Sequence, residues 1–377
     1  MRGRYITQLS KLSSLSEDEV RRLQPVAERY AFRLNSYYAE LINWDDPNDP
    51  LRHLVIPMES ELNDWGDLDA SNEAHYTPVR GCQHKYTDTA LLLINEVCGA
   101  YCRYCFRKRL FMNDNDDATM NYRPGLEYIK EHEEVTDVLL TGGDPLVMST
   151  RRLEEVITNV AMVPHLRIVR IGSKMTAFDP YRIIDDPFLL KLIKETCTGG
   201  VRVYVMNHFD HPRELTPAAR EAVRLLKEAG AETVNQCPIV RGVNDRPQTF
   251  STLFRELSVA GCPQYYVFQG RPTAGNEPYE VPIMRSLNIF LEASRQVSGL
   301  AKRARFVMSH RTGKIEILGA DDRFIYMRYH RSHRKEDYGR MVVALRDDDA
   351  YWLDQLTVVS GPTSAIEAAA NWPPDRD

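Results

Sequence analysis

Cys98, Cys102 and Cys105 bring three of the chain's seven cysteines into the short stretch CGAYCRYC. Thiolates spaced this closely on one loop can wrap one face of an iron–sulfur cubane, since cysteine sulfur is the ligand such clusters take from protein. Three ligands leave one iron of a four-iron cluster open. A structural zinc site would take two separated cysteine pairs and a fourth ligand, and no second pair occurs. Clustering in an odd count of seven also speaks for a reducing compartment and against a disulfide framework.

The elements around the thiols say where they sit. The apolar run Ala90 to Ile94 reads as a buried strand, so the cysteines fall in the loop past its carboxyl end, where barrel-like α/β folds place their chemistry. Strand-like and helix-like segments then alternate: VTDVLLTGGDPL (135–146) with a helix over 151–162, LRIVRIGSK (166–174) with 187–197, and VRVYVMNHFDHP (201–212) with 216–230. ETVNQCPIVRGVND (232–245) with 249–261, QYYVFQG (264–270) with 285–299, and ARFVMSH (304–310) continue the series. Such βα repetition predicts an α/β fold with a parallel sheet closed, or nearly closed, as a (β/α) barrel. Ahead of it, SLSEDEVRRL opens a helical pattern over 14–42 behind a serine cap, and a Pro-, Asp- and Asn-rich connector follows. Residues 1–85 are therefore read as a helical and extended N-terminal region, 86–312 as the barrel, and 313–377 as a C-terminal region. In that last part GKIEILGADDRFIYMRYH (313–330) reads as a β hairpin, the basic run 328–341 as a solvated face or, alternatively, an anion or substrate contact, and the tail from 360 as frayed.

Composition is that of an ordinary soluble enzyme, with 43% hydrophobic and 27% charged residues. A net charge of −5 gives no overall pull toward nucleic acid or an anionic membrane. The N-terminus lacks a signal-like apolar core, and no run of about 18 apolar residues appears. A cytoplasmic location is expected.

CGAYCRYC resembles the CxxxCxxC signature of radical-SAM enzymes, in which the amino and carboxylate groups of S-adenosylmethionine chelate the open iron. The resemblance extends well beyond the cysteines. DPNDPLRHLVIP, HKYTDTALLLINEVC, CRYCFRKRLF, TGGDPL, VRIGSK, HFDHP, NQCPIVRGVND and YYVFQG stand in the order and at about the spacing of the lysine 2,3-aminomutase family. The resemblance implies that Cys98, Cys102 and Cys105 hold a 4Fe-4S cluster and that Gly142, Gly143 and Asp144 border S-adenosylmethionine, small residues letting backbone approach it. Ser173 and Gln236 are further candidates for that cofactor. It also implies pyridoxal 5′-phosphate, held by Lys314 after a glycine, with Lys85 near the phosphate and Arg107 on the substrate's α-carboxylate. Expected partners are a small-molecule amino acid, a flavodoxin- or ferredoxin-type electron donor and further copies of the chain in a homo-oligomer. His208 and His211 offer too few ligands for a metal and are read as structural or cofactor-shaping.

The chain departs from the family in three places. Arg271 and Ser309 stand where lysine-using relatives carry aspartates, and a guanidinium there would repel an ammonium and pair with a carboxylate. That argues for an acidic or polar substrate, glutamate or aspartate first, and against free lysine. The turn before Lys314, Ser309-His310-Arg311-Thr312-Gly313, is shorter than the relatives' glycine-rich one; it motivates a rival reading, a radical-SAM enzyme without pyridoxal phosphate acting on another or a protein-borne substrate. The family's C-terminal zinc cysteines are missing, so zinc is not expected and Cys82, Cys197, Cys237 and Cys262 are read as packed thiols.

Overall fold

Helix starts in this chain are written by short polar side chains, often with a proline at the first helical turn, which has no N–H to leave unpaired. Ser149 accepts from the Arg152 N–H, Asp186 from Leu189 and Thr216 from Ala219. A computed structural model of the protein describes residues 4–112 and 119–370. Its main sheet comprises β1 (Cys82–Tyr86), β2 (Thr89–Asn95), β3 (Asp137–Gly142), β4 (Ile168–Ser173), β5 (Arg202–Asn207), β6 (Glu232–Pro238), β7 (Gln264–Phe268), β8 (Arg305–His310), β9 (Gly313–Ala320), β10 (Phe324–Ser332), β11 (Met341–Leu345) and β12 (Val358–Ser360). The strands neighbour one another in chain order; β2 to β8 run parallel, and β1 and β9 to β12 add antiparallel flanks. Helices α2 (Arg123–Glu131), α3 (Thr150–Ala161), α4 (Pro187–Thr198), α5 (Pro217–Glu228), α6 (Pro247–Val259) and α7 (Ile283–Arg295) make the crossovers, burying residues such as Leu153, Val156 and Leu226 against the sheet. This is the partial α/β barrel expected. β10 lies beside β1, but no backbone ladder joins them among the described residues.

Four expectations need adjustment. The helical pattern over 14–42 is broken: α1 (Glu17–Arg29) stops, the chain turns extended at Leu34–Asn35, and a second short helix covers Ser36–Leu41. The sheet starts at Cys82, inside the N-terminal region read over 1–85, because β1 pairs back on β2. The tail is helical over Thr363–Ala370 (α8), and the residues beyond 370 lie outside the described part. The basic run is not simply solvated: Arg331 lines the central cavity.

The N-terminal region supports the cysteine loop directly. Arg103, between two of the cysteines, is buried and forms a forked ion pair with buried Glu61, Nη2 to Oε2 at 2.6 Å and Nε to Oε1 at 3.1 Å. Tyr279 Oη and the Met58 N–H also donate to that carboxylate, at 2.8 and 2.9 Å. Removing one partner of a buried pair strands the other, at a cost of roughly 3–5 kcal/mol. Glu61→Ala is therefore expected to lower the thermal midpoint and to loosen the loop; calorimetry showing an unchanged midpoint would contradict this anchoring role.

Candidate active site

The barrel encloses a cavity of about 360 Å³, and every residue assigned from the sequence to cluster, cofactor or substrate lines it: Cys98, Cys102, Cys105, Gly142, Gly143, Asp144, Ser173, Gln236, Lys85, Arg107, Arg271, Ser309 and Lys314. They come from both ends of the sheet, since β1 supplies Lys85 and β9 supplies Lys314.

The three thiols converge from the loop after β2. Burial pushes all three upward from the ordinary thiol range; for Cys98 the charges of Asp144 and of the other two cysteines add to it. Three such groups can be thiolates together only beside a compensating positive charge, which is what an iron–sulfur cluster brings. The donor set fits that group.

Gly142 and Gly143 have a more local reason than cofactor approach. Gly142 has φ +114°, and a Cβ built there would meet the Asn95 carbonyl oxygen at 2.4 Å; at Gly143 it would meet Val97 backbone at 2.5 Å. The two glycines let β3 close against the root of the cysteine loop. Asp144 completes the fastening: its carboxylate accepts from Ser173 Oγ (3.0 Å) and from the backbone N–H of Lys174 (2.7 Å) and Leu146 (2.9 Å). Burial nevertheless pushes its carboxyl up to about 6. The side chains of Asp144 and Ser173 are thus spent on shaping this rim, and Gln236 stands at the end of β6 across from it.

Beneath Cys102 lies a buried polar network that the sequence did not single out. Lys174 Nζ contacts Asp210 and Glu214, each at 2.7 Å, while Tyr104 Oη donates to Asp210 at 2.5 Å and meets His208 Nε2 at 2.9 Å. His208 lines the cavity; His211 instead accepts from the Arg213 N–H at a short helical turn.

The other side is cationic. Arg107 gives its Nε–Nη2 edge to Glu73, at 3.0 and 2.8 Å, and Nη2 also donates to Gln83 at 3.1 Å. Glu73 bonds Arg109 at 2.6 Å and stands 3.8 Å from Arg271. Burial alone would raise the Glu73 carboxyl, but Arg107, Arg109 and Arg271 together hold it well below the carboxylate range. Glu73 lies in the connector, whose composition carries no periodic signal, so nothing in the sequence pointed to it. Arg271 stacks on Phe106, its Cζ 3.6 Å from the ring centre. Its Nη1 is buried with no hydrogen-bond partner, and burial brings its guanidinium down to about 10.

Lys314 opens β9 after a tight turn. His310 and Gly313 are register partners, and the turn is pinned where His310 and Arg311 both meet Asp354, at 2.9 and 2.8 Å. This anchorage holds the short turn in place ahead of Lys314. Lys314 Nζ sits over the rings of Tyr266 (4.0 Å) and Phe268 (5.3 Å), and burial, with Arg331, Arg170, Arg271 and Lys85, lowers its pKa well below the usual lysine range. An amine whose charged form burial disfavours, facing a cavity, suits covalent capture of an aldehyde, so the residue fits pyridoxal phosphate. Lys85 donates to the His310 carbonyl at 2.5 Å, and burial takes it down to about 7. A bulge in β1 between Gln83 and Tyr86 lets both Lys85 and Tyr86 line the cavity.

Away from the cavity, His84, His132 and Glu134 bring potential ligand atoms within 4.8 Å of one another. Both ring nitrogens of His84 already have partners, Tyr128 Oη at 2.9 Å and the Thr87 carbonyl at 3.3 Å. Cys82, Cys237 and Cys262 are buried and Cys197 is half-buried. Among the described residues no helix is long and apolar enough to cross a membrane.

No family model matches the chain. It is 53% identical over 355 residues to a protein of Aquifex aeolicus provisionally named L-lysine 2,3-aminomutase, covering 94% of this chain and 95% of that one. Against the L-lysine 2,3-aminomutase of Fusobacterium nucleatum the identity is 34% over 300 residues, 78% of this chain and 69% of the other. The glutamate 2,3-aminomutase of Clostridioides difficile is 30% identical over 295 residues, 78% of this chain and 68% of the other. Since the identity spans nearly the whole length and is not confined to the cysteine loop, the chain belongs to the lysine 2,3-aminomutase family of radical-SAM isomerases.

Proposed function

We propose that the enzyme is a pyridoxal-phosphate-dependent 2,3-aminomutase that converts an α-amino acid with an acidic or polar side chain, and not free lysine, into the β-amino acid. The observation that carries the substrate reading is Arg271: a guanidinium on the cavity wall whose buried Nη1 has no hydrogen-bond partner among the described residues, with the Glu73 carboxylate 3.8 Å away. A lysine ammonium ~4 Å from it would be repelled by about 4 kcal/mol at an effective dielectric of ~20, close to a thousandfold in affinity. A carboxylate would give the orphan N–H its acceptor.

Membership of a radical-SAM family implies S-adenosylmethionine and a 4Fe-4S cluster. When bound, these supply a carbon-centred radical that removes a substrate hydrogen, and pyridoxal phosphate supplies the electron sink that lets nitrogen move from C2 to C3. The chain's own residues divide the remaining work. Cys98, Cys102 and Cys105 hold the cluster; the Gly142-Gly143-Asp144 turn, braced by Ser173, and Gln236 border S-adenosylmethionine. Lys314 holds the second cofactor by its amine, and Arg107, with one edge committed to Glu73, keeps Nη1 directed to the substrate's α-carboxylate. Phe106, Tyr266 and Phe268 give apolar walls that keep water from a reactive radical. We place the enzyme in the cytoplasm, as a homo-oligomer served by a flavodoxin- or ferredoxin-type donor.

The test is an anaerobic assay of the reconstituted enzyme with single amino acids, scored by β-amino acid formed. Glutamate or aspartate is expected to turn over and lysine to lag by at least tenfold; Arg271→Ala is expected to raise KM for the acidic substrate roughly 10- to 100-fold, the worth of a charge-assisted hydrogen bond. Lysine turning over as fast as glutamate would end the substrate assignment.

A further inference from the structure

In the β9–β10 pair, Lys314 lies directly opposite Arg331. Like charges in cross-strand register destabilise a sheet, so the arrangement calls for a reason. It is made by a bulge: the register passes from Ile315↔Tyr329 to Lys314↔Arg331, leaving His330 as the extra residue. Under strict alternation Arg331 would follow Ile325, Met327 and Tyr329 into the core behind the sheet. The slip turns it instead to the cavity face that carries Lys314.

The surroundings are rich in positive charge. Arg331 lies over the Tyr86 ring, its Cζ 4.3 Å from the ring centre, donates to Thr89 Oγ1 at 2.9 Å, and bonds Asp88, whose side chain is 64% exposed. Lys85 projects from β1 into the same cavity and, among the described residues, has only the His310 carbonyl as acceptor. Arg170, also on the wall, is paired with Asp137 at 2.7 Å. Four basic side chains thus face two carboxylates, one of them largely in water. A dianionic phosphomonoester matches that surplus and has the oxygens to take both a guanidinium fork and an ammonium. In pyridoxal phosphate the aldehyde and the phosphate-bearing arm sit on adjacent ring carbons. A residue that grips the phosphate therefore belongs next to the lysine that takes the aldehyde.

We propose that Arg331, turned inward by the His330 bulge, grips the cofactor phosphate together with Lys85, so that the C-terminal hairpin and β1 hold one anion between them. The inference rests on the pyridoxal-phosphate reading above. Its test compares two probes, pyridoxal phosphate and pyridoxal, titrated into cluster-reconstituted wild-type protein, Arg331→Ala and Arg331→Lys, with borohydride-fixed cofactor as the readout. Wild type is expected to bind the phosphorylated form far more tightly. Arg331→Ala should lose roughly 10- to 100-fold for pyridoxal phosphate and little for pyridoxal, while Arg331→Lys keeps part of the preference. Equal weakening of both probes would mark a structural role and overturn the inference, as would an unchanged ratio in both variants. Wild-type protein that fixes neither probe would overturn the pyridoxal-phosphate reading itself, and this inference with it.

Discussion

Cys102→Ala is expected to reduce 5′-deoxyadenosine formation to background and to strip iron from the reconstituted protein. The loss should exceed the roughly 10–100-fold that removal of an outer-shell partner costs at a metal site, because a ligand itself goes. The fold should survive, since the loop's anchors lie beside the thiol: Arg103 on Glu61 and Tyr104 on Asp210. Thermal unfolding of the apo-protein near the wild-type midpoint, combined with lost cleavage of S-adenosylmethionine, would separate chemistry from folding. Retained cleavage in this variant would refute the cluster assignment.

Lys314→Ala is expected to abolish borohydride-fixable pyridoxal phosphate and with it all β-amino acid formation, while cluster absorbance stays. The pH dependence carries the sharper information. Burial and the neighbouring Arg331, Arg170, Arg271 and Lys85 lower the Lys314 pKa, so the uncharged amine persists down to lower pH than usual. An ordinary lysine with a pKa of ~10.4 is only about one part in 2500 uncharged at pH 7. Cofactor capture by wild type should thus reach its plateau at lower pH than capture by an ordinary lysine and fall away on the acid side of that plateau. Capture that still climbs steeply between pH 8 and 10, in the manner of a free lysine, would contradict the environment described. In Arg331→Ala one depressing charge is gone, and the profile should move to higher pH.

The strands and helices of the barrel were legible because parallel strands here are continuous apolar runs and their crossovers have clean helical periods. The cysteine loop was legible from ligand spacing alone. Three other things were not. Glu73 sits in a stretch of Pro, Asp and Asn whose conformation is set by tertiary contacts, so its carboxylate among three arginines had no local signature. Arg331 was hidden by its bulge, since period-two reading assigns it to the wrong face. Lys174 looked like the end of a strand, and only the fold brings Asp210 and Glu214 to it. Asp144 was found for its place on the rim, but its side chain proves to be engaged with Ser173 and backbone N–H groups. Residues that face a site through regular alternation are readable; those delivered by irregular backbone or by long-range pairing are not.

The gap between β1 and β10 gives the barrel a mechanical property beyond its catalytic one. β1 and β10 are joined by side chains such as Arg331 with Thr89 and Asp88, and among the described residues no amide ladder ties them. The β1 edge and the C-terminal antiparallel strands can therefore open as separate cooperative units, and the amides of β1 should exchange hydrogen sooner than those of the central strands. A ligand that touches both β1 and the hairpin of β9 and β10 couples them, and its binding free energy becomes stability of that closure. Loading the cavity then acts as a clasp across a seam that backbone hydrogen bonds leave open.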